Sequence, residues 1–263
     1  MLLNQGRPES NYFSNKQEME PCFKDKSVLV TGAGWGIGAA AALLYAANGA
    51  KVIVSDTSQK GGNDTVTKIK SKNGVATYIK TDVGNQSECE KLIKMTVDTY
   101  GSIDIACNNS AIFSEPIYET DKNRNLLNNE MGLNLNGLQN CMQYEIEAMQ
   151  KQGGGGVIVN SSSIVGAIGS TRLRQFVAAK YGMATLLQNI PGEYQARGIH
   201  INTIAPAFID TALLSALIQE ETNRGIGLFP GGWHNTIQEV AGLVLWLSSD
   251  ETYLFPSVYK DYN

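Results

Sequence analysis

The chain has 263 residues and a formal net charge of −4 at pH 7, and 43% of its residues are hydrophobic. This length suits one large α/β domain, since chains of roughly 250 residues often fold without splitting. The charge excludes a general electrostatic attraction to nucleic acid or to an acidic membrane surface. No apolar run approaches the roughly 18 residues of a membrane helix, so we expect neither nucleic acid nor membrane as a partner.

The beginning of the chain differs in composition from the rest. Polar residues, chiefly Asn, Gln, Glu and Ser, dominate positions 4–20. We predict a flexible tail over residues 1–22, with a partner-binding arm as the alternative, and one domain over residues 23–263. Polar residues follow directly after Met1-Leu2-Leu3, which is not the pattern of a signal peptide, so we expect a cytoplasmic protein.

Four cysteines bear on metal binding and on the redox compartment: Cys22, Cys89, Cys107 and Cys141. No two of them form a Cys-x-x-Cys pair, and the chain has only two histidines, His200 and His234. We therefore expect reduced, mostly buried thiols and no metal site.

Short apolar runs alternate along the chain with segments of helical periodicity. The predicted strands cover residues 28–30, 51–55, 75–79, 103–107, 157–159 and 199–204. The predicted helices cover residues 39–47, 64–72, 86–99, 126–149, 172–196 and 240–247. Such alternation predicts an α/β, Rossmann-type, doubly wound parallel sheet with helices on both faces, in three layers. Pro191 removes a hydrogen bond from the predicted helix 172–196, so we expect a kink or a break there.

A glycine-rich turn joins the first predicted strand to the first predicted helix, and it reads Thr31-Gly32-Ala33-Gly34-Trp35-Gly36-Ile37-Gly38. Glycines let a pyrophosphate approach the backbone, and the start of a helix offers unpaired N–H groups to phosphates. The predicted cofactor-binding residues are therefore Gly32, Gly34, Trp35, Gly36, Ile37 and Gly38. The alternative is a glycine turn without a ligand.

The spacing Thr-Gly-x-x-x-Gly-x-Gly resembles that of the short-chain dehydrogenase/reductase family, and the resemblance extends from about Lys26 to Asp250. It implies an oxidoreductase that moves a hydride between a nicotinamide cofactor and an alcohol or ketone. It also implies a homotetramer or homodimer, in which the predicted helices 126–149 and 172–196 pack across a two-fold axis.

Asp56 closes the second predicted strand and bears on the choice between NAD and NADP. A carboxylate there can accept hydrogen bonds from the adenosine ribose and would repel a 2′-phosphate. Trp35 occupies a position where NADP-preferring family members often carry a basic residue, so both residues favour NAD. Asp82-Val83 resembles the pair that contacts adenine in the family. The alternatives are a turn-forming Asp56 and an Asp82 that caps the next helix.

Two further segments resemble cofactor contacts of the family. Asn109 lies in Asn108-Asn109-Ser110-Ala111, where the family has Asn-Asn-Ala-Gly, and Ala111 would be strained if its position needs a positive φ. Residues 206–211 resemble the segment that touches the nicotinamide through backbone groups, which implies contacts from Ile209 and Thr211. Apolar residues between 208 and 229 then form a predicted lid over the substrate.

The resemblance implies a catalytic group at Asn134, Ser163, Phe176 and Lys180, with one substitution. The family's Tyr-x-x-x-Lys signature lies thirteen residues after its serine, and here it reads Phe176-Val177-Ala178-Ala179-Lys180. In the family, the tyrosine phenol exchanges the substrate proton, and the nearby ammonium lowers its pKa. Ser163 would hold the substrate oxygen, Asn134 a water beside Lys180, and Lys180 the nicotinamide ribose. The alternatives are a helix-bonded Asn, a loop serine, and a core aromatic beside a surface lysine.

Three functions are consistent with these residues. The first is an NAD-dependent oxidoreductase for the secondary alcohol or ketone of a small, largely apolar substrate, with turnover impaired by Phe176. The second is a non-catalytic NAD-binding scaffold or redox sensor on the same fold. The third is an enzyme whose proton donor is displaced to Tyr118, Tyr181 or His234. Tyr181 lies about 140° around the helix from Phe176 and should point away from the site.

Overall fold

The computed structural model describes residues 22–111, 131–163, 174–206, 209, 236–250, 252 and 259–261. The strands in these residues are β1 (Ser27–Thr31), β2 (Lys51–Asp56), β3 (Val75–Lys80), β4 (Ile105–Asn108), β5 (Gly156–Ser161), β6 (Ile199–Ala205) and β7 (Tyr259–Asp261). The helices are α1 (Gly36–Ala47), α2 (Gln59–Lys70), α3 (Gln86–Tyr100), α4 (Gly137–Gln152), α5 (Arg174–Asn189), α6 (Pro191–Gln195) and α7 (Ile237–Leu247). A π-helical segment, Gly132–Asn136, runs directly into α4.

The described strands form one parallel sheet in the order β3-β2-β1-β4-β5-β6-β7. Successive residues of a strand face opposite sides, so Val28 and Val30 pack into the core cluster that includes α1 and α7. Leu29 packs into the cluster on the other side, with residues of α3, α4 and α5. Burial on both faces explains why the strands are almost continuous apolar runs. The predicted three-layer, Rossmann-type α/β fold is confirmed.

Strand order reverses beside β1, and this reversal positions the site. The chain moves outward from β1 to β3 and then returns to β4 on the other side of β1. The loops that leave β1 and β4 therefore separate to opposite faces, and a crevice opens at the carboxyl ends of these strands. The glycine turn follows β1 and the Asn109 segment follows β4, so both border this crevice.

Helix α2 begins at Gln59 and not at residue 64 as predicted. Ser58 caps the helix, because its Oγ accepts a hydrogen bond from the Gly61 N–H at 3.2 Å. Gly61 and Gly62 have a low helix propensity, so the sequence did not predict helix at these residues. Glycine is nevertheless required at position 62 by tertiary packing. A Cβ atom there would overlap the Tyr78 ring of β3.

The two long predicted helices are interrupted. Residues 126–130 lie outside the described part of the chain, and the helical turn at Gly132–Asn136 is π before α4 begins. The predicted helix 172–196 divides into α5 and α6, and Pro191 is the first residue of α6. The break expected at Pro191 is confirmed, since proline suits the first turn of a helix better than its interior.

Two features near the C-terminus were not predicted. Strand β7 extends the sheet beyond β6. The second is the start of α7, which lies at Ile237 and not at residue 240 as predicted, because Thr236 and Glu239 form a reciprocal capping box. No helix within the described residues combines the length and the apolar character needed to cross a membrane. All four cysteines are free, and three of them are buried, as expected.

Candidate active site

The carboxylate of Asp56 contacts the backbone of the glycine turn directly. Its Oδ2 accepts a hydrogen bond from the Gly34 N–H at 2.9 Å, and its Oδ1 accepts one from the Ser58 N–H at 2.8 Å. A Cβ at Gly34 would lie 2.8 Å from the Asp56 Cγ, so only glycine permits this approach. Asp56 thus stabilises the turn, as the alternative of a turn-forming Asp56 predicted. Each carboxylate oxygen can still accept a second hydrogen bond.

The first turn of α1 is open to an anion. Trp35 precedes the helix without a side-chain cap, and its own side chain is 62% exposed. Gly36 has φ +58, and a Cβ built on it would meet no atom within 4 Å. Backbone N–H groups at such a helix start favour phosphate through their unmet hydrogen bonds and the helix dipole. The residues therefore fit the pyrophosphate of a dinucleotide.

The residues after β4 form hydrogen bonds with the glycine turn and with Thr31 at its start. Asn109 donates from Nδ2 to the Gly32 carbonyl at 3.3 Å, and the N–H groups of Asn109 and Ser110 both reach the Thr31 hydroxyl at 3.2 Å. Ala111 is not among the residues with positive φ, which in the described chain, apart from glycines, are Asp25 and Asn73. Ala111 therefore does not need a positive φ, and the strain that such a φ would cause is absent.

Asp82 and Val83 follow β3 and have different surroundings. Asp82 is exposed, and its Oδ1 accepts a hydrogen bond from the Gly84 N–H at 2.9 Å. The cap of α3 is Asn85, so the alternative of Asp82 as the helix cap is wrong. Val83 is buried against Cys89 and Cys141.

The charged centre of the site is Lys180, which lies one helical turn after Phe176 on α5. Both side chains are buried, at 2% and 5% exposure. The Lys180 Nζ donates to the Ser161 carbonyl at 2.8 Å and lies 5.5 Å from the centroid of the Phe176 ring. Burial lowers the pKa of Lys180 from 10.5 to about 8. The alternative of a surface lysine is therefore wrong.

Asn134 and Ser163, the other two predicted catalytic residues, lie on two other elements. Asn134 is buried within the π-helical segment, and Ser163 is half-buried after β5. Next to Ser163, the Ser162 hydroxyl donates to the Lys180 carbonyl at 3.4 Å, which ties the serine run to α5. A π turn shifts the residues around it relative to an α-helix, and such segments are frequent at functional sites.

The other predicted site residues lie partly outside the described residues. Ile209 is described, and its side chain is buried in the core cluster on the α1 side. Thr211, Tyr118, His234, the tail and the predicted lid between 208 and 229 lie outside the described residues. Tyr181 is 63% exposed, which agrees with its predicted orientation away from the site.

A buried polar cluster behind the site escaped the sequence analysis. Asn108 donates from Nδ2 to the Glu145 Oε2 at 2.9 Å and to the Asn160 Oδ1 at 3.1 Å. The sequence does contain a signal for this cluster, which is the position of Glu145 on α4. It lies between Met142 and Met149, on a helix face that is otherwise apolar. Carboxylates are rarely buried without a partner, so a glutamate on such a face indicates a buried polar cluster.

Comparison with known proteins identifies the family. The model of the short chain dehydrogenase family matches residues 26–222. The short chain dehydrogenase/reductase astE of Aspergillus oryzae is 32% identical over 238 residues, which cover 89% of this chain and 91% of that protein. A cyclohexanol dehydrogenase of an Acinetobacter species is 34% identical over 229 residues, which cover 87% and 90%. The crystal structure of levodione reductase has a TM-score of 0.83 and 27% identity, over 91% of this chain and 97% of that one. This chain therefore belongs to the short-chain dehydrogenase/reductase family of oxidoreductases.

Proposed function

We propose that this chain is an NAD-dependent oxidoreductase for the secondary alcohol or ketone of a small, largely apolar substrate, and that Phe176 slows its turnover. The observation that carries the proposal is the buried pair on α5, in which the Lys180 ammonium faces an aromatic ring that has no proton to exchange. The name of the cyclohexanol dehydrogenase supports a cyclic secondary alcohol as the first substrate class to test.

Bound NAD would supply the nicotinamide that accepts or donates the hydride. In the proposal, the glycine turn and the start of α1 hold the pyrophosphate, while Asp82, Val83, Asn109, Ile209 and Thr211 form further contacts to the cofactor. Lys180 binds the nicotinamide ribose and favours negative charge on a nearby oxygen. Ser163 holds the substrate oxygen, and Asn134 keeps a water beside Lys180.

The preference for NAD rests on Asp56. Two backbone N–H groups hold its carboxylate against the glycine turn, so the charge cannot turn away from a ligand. The ribose hydroxyls of NAD can donate to this carboxylate, whereas a 2′-phosphate would face a fixed negative charge. Trp35 adds no cation that would offset the repulsion.

The same phenylalanine favours a second candidate function, a non-catalytic NAD-binding scaffold or redox sensor. A site that keeps its cofactor contacts but lacks the proton-exchanging phenol can bind NAD without turnover. The two functions differ in one measurable property, which is hydride transfer to a ketone by the unaltered chain.

The decisive experiment compares this chain with Phe176→Tyr in the oxidation of cyclohexanol and related alcohols by NAD. Positioned acid–base catalysis contributes about 10²–10⁴-fold, so the variant should raise kcat by that order. NADH affinity, followed by fluorescence, should hardly change, because Lys180 and the glycine turn are untouched.

Tyr181→Phe is the matched control, since it removes an exposed hydroxyl from the same helix and should leave turnover as it is. Equal turnover of the unaltered chain and Phe176→Tyr would contradict the account of a lost tyrosine. NADH binding without turnover in both proteins would favour the scaffold.

A further inference from the structure

The buried cluster behind the site connects three elements through one amide group. Glu145 of α4 is fully buried, with 0% exposure, and its Oε2 accepts a hydrogen bond from Asn108 at the end of β4. The second hydrogen of the same Nδ2 goes to the Asn160 Oδ1 on β5, which is the register partner of Asn108. Both hydrogens of the Asn108 amide are thereby used.

Two oxygen atoms of this cluster are left without a partner among the described residues. They are the Glu145 Oε1 and the Asn108 Oδ1, and both are buried; the Asn160 Nδ2, a donor, is a third buried atom of the cluster without a partner among these residues. A carboxylate oxygen and an amide oxygen are both acceptors, so an ionised Glu145 cannot satisfy either of them. One proton on Oε1 changes this, because a carboxylic acid can donate to the amide oxygen while it accepts from the amide nitrogen.

The surroundings of Glu145 also disfavour a charge. The titratable groups that face it are the Cys107 thiol of β4 and the Cys141 thiol of α4, and Cys89 of α3 contacts Cys141. None of these is a cation, and the ion pairs Lys51–Asp25 and Lys94–Asp98 lie at the surface. Burial raises the pKa of Glu145 to about 7, and it raises that of Cys107 to about 12.

The cluster is adjacent to both halves of the site. Asn108 directly precedes Asn109, which bonds the glycine turn, and Asn160 directly precedes Ser161, which accepts the hydrogen bond of Lys180. We infer that Glu145 is held as a neutral carboxylic acid paired with the Asn108 amide, and that this pair positions the ends of β4 and β5 for cofactor binding. The positioning role rests on the proposed function, whereas the protonation state does not.

The protonation state is tested by the pH dependence of stability. An acid with a raised pKa in the folded state loses stability as the pH rises from its unfolded value, 4.5, towards the folded value of about 7. The urea midpoint of the natural chain should therefore fall between about pH 5 and pH 8 relative to that of Glu145→Gln. Glutamine reproduces the donor and the acceptor of the neutral acid and cannot ionise.

Glu147→Gln is the matched control, because it removes an exposed carboxylate from the same helix. It should keep the pH dependence of the natural chain. Equal pH dependence in Glu145→Gln and the natural chain would overturn the inference. If Glu145→Gln does not fold, infrared spectra of the natural chain decide, since a neutral Glu145 requires a protonated-carboxyl band at about pH 6. Absence of that band would overturn the inference.

The positioning role is tested by NADH affinity at the same pH values. Ionisation of Glu145 removes one hydrogen bond of the pair, so the NADH dissociation constant of the natural chain should rise by about fivefold above pH 7 relative to Glu145→Gln. A parallel pH profile in the two proteins would overturn the positioning role and leave the neutral acid intact. A complete lack of NADH binding at every pH would instead contradict the proposed function.

Discussion

At the scale of single residues, Asp56 serves the fold and the proposed cofactor preference with the same carboxylate. Asp56→Ala removes two hydrogen bonds to backbone N–H groups, so the free energy of unfolding should fall by about 2–4 kcal/mol. The variant should also lose affinity for NAD and narrow the preference over NADP, because the repulsion of a 2′-phosphate disappears. Titration of both cofactors and urea unfolding measure the two effects.

Asp64→Ala is the control for this prediction, since Asp64 is an exposed carboxylate on α2. It should change neither the preference for a cofactor nor, beyond a few tenths of a kcal/mol, the stability. Tighter binding of NADP than of NAD by the natural chain would show that Asp56 does not face the ribose.

Lys180 predicts a pH dependence of the opposite sign to that of Glu145. Its pKa falls from 10.5 to about 8 on folding, so the unfolded chain binds more protons between these values, and stability rises with pH across this window. The shift corresponds to about 3 kcal/mol. Lys180→Met should lack this rise in urea unfolding. Equal slopes for Lys180→Met and the natural chain from pH 8 to 10 would contradict a buried, desolvated lysine.

At the scale of elements, the capping box of α7 anchors the helix that covers β1 from the α1 side. The Thr236 Oγ1 accepts from the Glu239 N–H at 3.1 Å, and the Glu239 Oε2 accepts from the Thr236 N–H at 2.7 Å. Thr236→Ala should cost about 1 kcal/mol, or a fall of roughly 2–4 °C in Tm. Thermal unfolding measures it.

Thr67→Ala is the control for the capping prediction, because Thr67 is an exposed threonine inside α2 that bonds its own helix backbone. Alanine is the better helix former there, so this variant should be neutral or slightly stabilising. An equal fall in Tm in both variants would contradict a specific contribution of the capping box to stability.

At the scale of the whole molecule, we predict a homo-oligomer in which α4 and α5 pack across a two-fold axis, as the family resemblance implies. Tyr181 is a large, exposed side chain on α5. A charge at this position would be buried in such an interface, so Tyr181→Glu should shift the assembly towards monomer in sedimentation experiments.

Met95→Glu is the control for the assembly, because Met95 is an exposed apolar residue on α3, outside the predicted interface. It should leave the sedimentation coefficient unchanged. A monomer at micromolar concentration of the natural chain would refute the oligomer. The division into a tail over 1–22 and a domain over 23–263 likewise stays a prediction.

Local signals in the sequence determined the order and type of most elements, because the periods of apolar residues differ between strands and helices. The glycine turn, the Phe176–Lys180 spacing and the break at Pro191 are also local features, and the sequence alone predicts them. Strand β7 carried no such signal, because its three residues are stabilised by pairing with β6 rather than by their own propensity.

The tertiary structure decided what distant residues do to one another. It buried Lys180 against Ser161, required glycine at position 62 beneath the Tyr78 ring, and enclosed Glu145 between Asn108 and two thiols. Each outcome depends on chain segments far apart in sequence, and the pKa shifts arise only when packing removes water from the charged group. The sequence therefore determined which residues were available for chemistry, and the packing of the sheet and helices decided their charge and their partners.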